Sequence, residues 1–256
     1  MANYQIQPAA NIYAYGMVVQ WASVTSLTVS AGQVRASNNS CDLYAATALT
    51  LDATTNGANG LDTGSLANAT WYYVYAIGSS SLNENTASGA QLSSTAACIL
   101  STSASGPSLP EGYDSYRIIG YALTNGSAQF LKFYTGLSGN NRLHYWDSMI
   151  SVLANGTATS LTAVSAAAAA PAVDYTVLKL NVQYTPATAN DKVSLAVFGS
   201  ASTTLPGCVG AVATKINSCE MNIVGRVDSG ALKFQYINSA SSGDADISVV
   251  GFEYSL

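Results

Sequence analysis

The sequence predicts an all-β protein, with an N-terminal β-sandwich or barrel-like domain followed by a small C-terminal jelly-roll-like β-sandwich. Apolar residues recur at every second position, which is the period of strands and not the 3.6-residue period of helices. Asn-Gly pairs and other turn-forming residues separate these runs at intervals suited to short strands. The chain of 256 residues is also long enough to bury a core without relying on disulfides.

The first domain contains one predicted central strand and one predicted hairpin. In residues 71–77 both alternating faces are apolar or aromatic, which is typical of a strand covered on both sides. Residues 116–123 and 128–134 favour strands and flank Asn125-Gly126, a dipeptide that accepts the positive φ angles of a tight turn. They predict a β-hairpin.

Residues 166–171 predict a linker. This run of five alanines and Pro171 has no apolar periodicity, and the proline prevents a helix from continuing smoothly. The predicted domains are therefore residues 1–165 and residues 172–256.

The C-terminal domain is predicted to hold five antiparallel strands. Asp228-Ser-Gly230 predicts a three-residue hairpin loop with glycine in the left-handed region, and Val249-Val250-Gly251 interrupts the alternation as a β-bulge does. The number of short strands favours a jelly roll. The predicted strands are residues 175–184, 193–198, 221–227, 231–237 and 246–254.

Charge is scarce. Only 9% of residues are charged and the net charge is -5, so no cationic surface gathers phosphates and nucleic-acid binding is disfavoured. The first residues carry neither a basic nor an apolar signal region, and no stretch has about 18 consecutive apolar residues. We expect synthesis in a cytoplasm without membrane insertion. The low charge and the apolar faces of residues 71–77 together predict a homo-oligomer, and the oligomer we expect is a trimer.

The sequence offers no recognisable catalytic or cofactor site. The single histidine, His144, lies beside Tyr145 and Trp146, which favours aromatic packing, and no nucleophile motif accompanies it. Acidic residues are scattered in turn contexts, including Asp52, Asp62, Asp114 and Asp228, and do not form a recognisable hydrolytic pair. We therefore predict no enzyme activity and no catalytic, metal-binding or cofactor-binding residues. Asp244-Ala-Asp246 is interpreted as a solvated turn and not as a calcium loop.

The four cysteines, Cys41, Cys98, Cys208 and Cys219, lack the spacing of metal ligands and are predicted to be small buried thiols. A bridge between Cys208 and Cys219 would close a short loop, and it is the one pairing that merits a test.

Aromatic residues are the remaining chemical resource. The chain has sixteen Tyr, three Trp and five Phe. Because tyrosine joins a flat apolar ring to a polar tip, it suits subunit interfaces and sugar faces alike. Positions inside strands favour the core or an interface, and the ligand-binding residues stay unassigned.

An ordered succession of motifs over roughly residues 15–165 resembles structural proteins of tailed bacteriophages, of the tail fibre or tail-associated type. The motifs are Gly57-Ala-Asn-Gly-Leu-Asp-Thr-Gly-Ser-Leu66, Thr70-Trp-Tyr-Tyr-Val-Tyr75, Ser108-Leu-Pro-Glu-Gly-Tyr-Asp-Ser-Tyr-Arg-Ile-Ile-Gly120 and Thr124-Asn-Gly-Ser127. The C-terminal part is similar to the β tips of phage fibres only in general style.

The resemblance implies a virion component displayed on the particle exterior. A tail fibre or receptor-binding protein would bind other virion proteins and a host-surface glycan; the alternative is a capsid decoration or head-fibre protein. A soluble sugar-binding module and a hydrolytic tailspike are further alternatives. We expect residues 1–165 to attach to the virion and residues 172–256 to form the tip. The loops 200–207 and 238–243 would face the host, with Tyr236 contacting sugars.

Overall fold

A computed structural model describes residues 14–80, 93–138, 141–201 and 207–256. Within these ranges the chain forms 21 β-strands and no helix, which confirms the all-β prediction. No helix of the described residues is therefore long and apolar enough to cross a membrane. The chain divides into two compact units, residues 1–136 with Leu256 and residues 137–255.

The described residues of the first unit form three sheets, ordered β1-β4-β5-β9, β2-β3-β6 and β11-β8-β10-β7. The boundary between the units falls within β12. The strands are β1 (Ala14–Gly16), β2 (Val19–Ser23), β3 (Ser26–Val29), β4 (Gly32–Arg35), β5 (Asp42–Ala45), β6 (Leu49–Asp52), β7 (Gly60–Leu61), β8 (Trp71–Gly78), β9 (Ser93–Thr95), β10 (Ala97–Ser101), β11 (Ser115–Leu123) and β12 (Phe133–Ser138).

Strand β8 is central, as predicted. It lies between β10 and β11, and its residues from Val74 to Gly78 are buried. Tyr75 packs edge-on against Tyr116, with 5.6 Å between ring centroids, and its hydroxyl donates to the carbonyl of Ser103 at 2.6 Å. Both faces of β8 are used inside the unit. The apolar faces of this strand therefore give no support to an oligomer interface.

The loop after β11 differs from the predicted tight hairpin. Thr124 bridges Phe130, and the side-chain oxygen of Asn125 accepts hydrogen bonds from the backbone N–H groups of Ser127 and Gln129. The positive φ angle falls on Ala128, at 55°, and not on Gly126. An Asn side chain that bonds the backbone ahead of it builds a wider loop, so the next strand, β12, begins only at Phe133.

In the part of the second unit that the structure describes there are two sheets, ordered β12-β13-β21-β15-β18 and β14-β20-β16-β17, with the short β19 paired to β20. Its strands are β13 (Asn141–Gly156), β14 (Thr162–Ser165), β15 (Val177–Thr185), β16 (Lys192–Val197), β17 (Gly207–Val209), β18 (Asn217–Val224), β19 (Arg226–Asp228), β20 (Ala231–Asn238) and β21 (Asp244–Ser255).

This strand order is that of a jelly roll. Counting the strands of the unit from β13 and leaving out β19, one sheet has the order 1-8-3-6 and the other 2-7-4-5. An eight-stranded pair of sheets with Greek-key connections is the jelly-roll architecture. Each sheet has one buried face: Leu178, Leu180 and Val182 alternate with outward residues on β15, and Leu232 and Phe234 do so on β20.

The boundary between the units differs from the prediction. The structure divides the chain at Gly136 and Leu137, so β13 and β14 belong with the jelly roll. Residues 166–171 are not a free linker, because Ala166, Ala169 and Ala170 are fully buried. The indole Nε1 of Trp146 also donates to the carbonyl of Ala169 at 3.0 Å. Small side chains let this connection between the two sheets pack against the core.

Two local predictions in the jelly roll have different outcomes. The predicted bulge is confirmed: Lys179 pairs with Gly251 and Leu180 with Val249, which leaves Val250 as the extra residue. The hairpin after β19 is tighter than predicted. Because Asp228 pairs with Ala231, its loop has only Ser229 and Gly230, both with positive φ, as a type I′ turn requires.

Candidate ligand-binding face

The candidate site lies on the outer face of the sheet β13-β21-β15-β18. Side chains alternate along a strand. On β15, Leu178 and Leu180 point into the sandwich, so Lys179, Asn181 and Gln183 point outward. The antiparallel register extends this outward set onto the neighbouring strands.

The outward side chains form polar rows across three strands. Asn181 lies between Ser248 and Glu220, and Gln183 lies between Asp246 and Ser218. The side-chain nitrogen of Asn181 donates to the hydroxyl oxygen of Ser218 at 3.1 Å. Amide, hydroxyl and carboxylate groups therefore make up this part of the face.

The next row contains a cavity of about 120 Å³. The side chains around it include Tyr145, Lys179, Glu220, Asn222 and Val250. The β-bulge contributes to the cavity wall, because it inserts Val250 into β21. The next residue, Gly251, pairs with Tyr145 on β13. A Cβ at Gly251 would collide with the carbonyl oxygen of His144, so glycine is required where the two strands approach.

Lys179 is held in place by an ion pair. Its Nζ lies 3.2 Å from Oε2 of Glu253, and the other carboxylate oxygen of Glu253 accepts a hydrogen bond from the side chain of Asn141 at 2.7 Å. The bonds from Asn141 and Lys179 lower the pKa of Glu253. The Lys179 charge is thus balanced before any ligand arrives, and Glu220 adds a further negative charge beside the cavity.

His144 lies on the inner side of β13, as the aromatic-packing prediction requires. Its ring is buried, stacks on Phe252 and meets Trp146 edge-on, with both centroid distances 4.5 Å. Burial lowers the pKa of His144 to about 3. The imidazole is therefore neutral near pH 7 and lies out of reach of a substrate on the surface.

The acidic residues of the turns are engaged locally. Asp52 accepts hydrogen bonds from the hydroxyl and backbone N–H of Thr54, Asp114 accepts both from Ser80, and Asp228 binds Lys233 at 2.6 Å. These hydrogen bonds lower the pKa of each carboxyl group. Among the residues that the structure describes, no group of three or more His, Cys, Asp or Glu side chains is placed to hold a metal ion.

Among the described residues, those expected to contact sugars are not gathered in one place. Tyr236 is buried, and its hydroxyl oxygen accepts a hydrogen bond from the backbone N–H of Ala158 at 3.3 Å, which corrects its assignment as a contact residue. Loop 238–243 follows β20, and loop 200–207 follows the antiparallel β16. The two loops therefore leave opposite ends of the sheet. Residues 202–206 of the second loop lie outside the described residues.

Sequence reasoning did not identify Tyr145, Lys179 or Asn222 as site residues. The polar alternation of Lys179, Asn181 and Gln183 between Leu178, Leu180 and Val182 was a usable signal. The register that brings Asn222 and Tyr145 into the same row as Lys179 has no local sequence trace.

No family model, no curated protein and no solved structure matches the chain.

Proposed function

We propose that the protein is a bacteriophage virion structural protein, a tail fibre or receptor-binding protein that docks on the particle and contacts host-surface glycans without catalysis. Two observations support it: the motifs over residues 15–165 that resemble tail-associated proteins, and the jelly roll, an architecture used by viral capsid and lectin domains. The observation that carries the glycan contact is the polar outer face with Tyr145 beside its cavity.

The chemistry of this face suits a sugar. Tyr145 is 39% exposed and offers an apolar ring to the C–H face of a pyranose. Asn222 and Asn181 offer amide donors and acceptors for hydroxyl groups. Lys179 is already fixed by Glu253, so binding costs little further ordering of that side chain.

The charge balance favours a neutral glycan. Two carboxylates, Glu220 and Glu253, accompany the single ammonium group of Lys179 around the cavity. An acidic sugar would meet net negative charge there, so neutral hexoses and N-acetylhexosamines fit the face better.

The two units divide the work in this proposal. The motifs that carry the resemblance end at Ser127, within the first unit, although the resemblance itself runs to about residue 165. We assign docking on the virion to residues 14–136 and the host-facing tip to the jelly roll from residue 137 to residue 255. We also propose a homotrimer as the acting form.

A binding experiment on intact host cells tests the glycan contact. We expect the Tyr145→Ala and Asn222→Ala variants of the full chain to bind at least about tenfold more weakly than the wild type. Tyr44→Ala is the matched control, because Tyr44 is 43% exposed on β5 of the first unit. If both jelly-roll variants bind as tightly as the wild type, the outer face of the jelly roll is not the glycan-binding surface.

A second experiment tests the place on the particle. Full-length protein is incubated with purified tails and with empty heads, and we expect it to bind tails. Binding to heads alone would identify a capsid decoration or head-fibre protein instead. Turnover of host polysaccharide that is abolished by replacing one acidic residue would refute the absence of catalysis.

A further inference from the structure

Cys208 and Cys219 lie on the edge strands of the two sheets of the jelly roll. Cys208 is on β17 and Cys219 is on β18. In the registers, Cys208 faces Val193 and Cys219 faces Val182, and both valines are fully buried inward residues. Both thiols therefore point into the space between the sheets at one edge of the sandwich.

The two thiols lie close together, because β17 and β18 are in contact along this edge and the Cys208 thiol acts on the pKa of Cys219. Sγ of Cys208 lies 4.0 Å from the carbonyl oxygen of Asn217, two residues before Cys219. Both are free thiols in this structure. The chain between them leaves one sheet and enters the other, so a bond between these sulfur atoms would join the sheets covalently.

We propose that Cys208 and Cys219 are a modification site at which a small-molecule disulfide of the glutathione type oxidises the pair to an intersheet disulfide. The thiolate of Cys219 attacks a sulfur of glutathione disulfide, the S–S bond of that reagent breaks, and one glutathione thiolate leaves. The thiolate of Cys208 then attacks the Cys219 sulfur and releases the second glutathione. The protein thiols lose two electrons and two protons, and the reagent becomes two glutathione thiols.

The order of attack follows from exposure. Cys219 is half-buried, whereas Cys208, Cys41 and Cys98 are buried, so the reagent reaches Cys219 first. Burial and the neighbouring Cys208 thiol raise the pKa of Cys219 to about 12, which leaves little thiolate at neutral pH. The first step is therefore slow near pH 7 and faster in alkaline buffer.

The product closes the loop 209–218. That loop carries three exposed aliphatic side chains, Val209, Val212 and Ile216. In a reducing cytosol the two cysteines stay in the thiol form, whereas an oxidising exterior favours the disulfide. The inference concerns the jelly roll alone and stands independently of the proposed function.

Thiol counting and peptide mapping test the proposal. Full-length native protein is incubated with glutathione disulfide at pH 8.5 and at pH 7, with a dithiothreitol-treated sample as the reference. We expect two of its four thiols to disappear, faster at the higher pH, and one crosslinked peptide pair to contain Cys208 and Cys219. In that oxidised sample, amides of residues 210–216 should exchange hydrogen about tenfold more slowly.

Matched variants make the assignment specific. Cys208→Ser and Cys219→Ser should each abolish the crosslink, and Cys41→Ser should keep it. A persistent glutathione adduct on Cys219, a bridge that includes Cys41 or Cys98, a bridge between two chains or four surviving thiols would overturn the proposal. The mapping of the wild-type chain decides the question even where a variant fails to fold.

Discussion

The imidazole of His144 stacks on the ring of Phe252, with 4.5 Å between the centroids and 18° between the planes. Protonation would place a charge between buried aromatic rings, and burial accordingly holds the pKa of His144 at about 3. The unfolded chain binds that proton below about pH 6.5. Folding therefore becomes less favourable as the pH falls from 6.5 towards 3.

We expect the free energy of unfolding to fall by about 2 kcal/mol between pH 7 and pH 5. His144 is the single histidine of the chain, and carboxyl groups titrate mainly below this range. Urea titrations at each pH measure the loss. The His144→Phe variant keeps the aromatic packing and should show a flat profile over the same range; an unchanged slope would contradict the assignment.

The Ala169→Leu substitution should lower the free energy of unfolding by about 1–3 kcal/mol, because the larger side chain overpacks a filled core. Ala168→Leu is the matched control, because Ala168 is the neighbouring residue and its side chain is exposed. It should change the free energy of unfolding by no more than about 0.5 kcal/mol. Chemical denaturation measures both. Equal effects would mean that residues 166–171 behave as a linker after all.

Tyr175 combines a φ angle of 63° with a side chain that is 69% exposed. A left-handed conformation costs any residue with a Cβ, so we expect Tyr175→Gly to be more stable than Tyr175→Ala by about 1 kcal/mol. The same pair at Tyr15, an exposed strand residue whose φ is not positive, should show the reverse order. Denaturant midpoints rank the four variants, and alanine ahead of glycine at both sites would refute the backbone argument.

We expect the full chain to sediment as a trimer at micromolar concentration. Exposed aliphatic groups at Val212 and Ile216 offer apolar surface that association would cover. The double variant Val212→Ser, Ile216→Ser should shift the equilibrium towards the monomer, and Val24→Ser, which changes an exposed valine of the first unit, should not. A monomeric wild type would end the trimer proposal.

Local patterns predicted the strands well and their long-range placement poorly. Alternation identified β8, β15, β20 and β21, because a period of two depends only on neighbours along the chain. The predicted domain boundary was placed at residues 166–171 because a run of alanines has the same sequence in a linker as in a segment packed against the core. The same alternation, applied to Leu232 and Phe234, would have placed Tyr236 inside.

The candidate cavity was beyond local reasoning for a related reason. Val249-Val250-Gly251 predicted a bulge, but the row that places Tyr145, Lys179 and Asn222 around it depends on strands far apart in sequence. Sequence patterns place each of these residues on a strand, but they do not determine which residues of neighbouring strands pair with one another.

The position of β21 has a consequence for synthesis on the ribosome. β21 lies between β13 and β15, and Asn141 pairs with Ser255 across the whole unit. During translation β13 and β15 emerge well before the strand that separates them. Contacts this distant in sequence form slowly. Until residues 244–255 are made, the nascent sheet keeps two unpaired strand edges, and unpaired edges make an incompletely folded chain prone to aggregation.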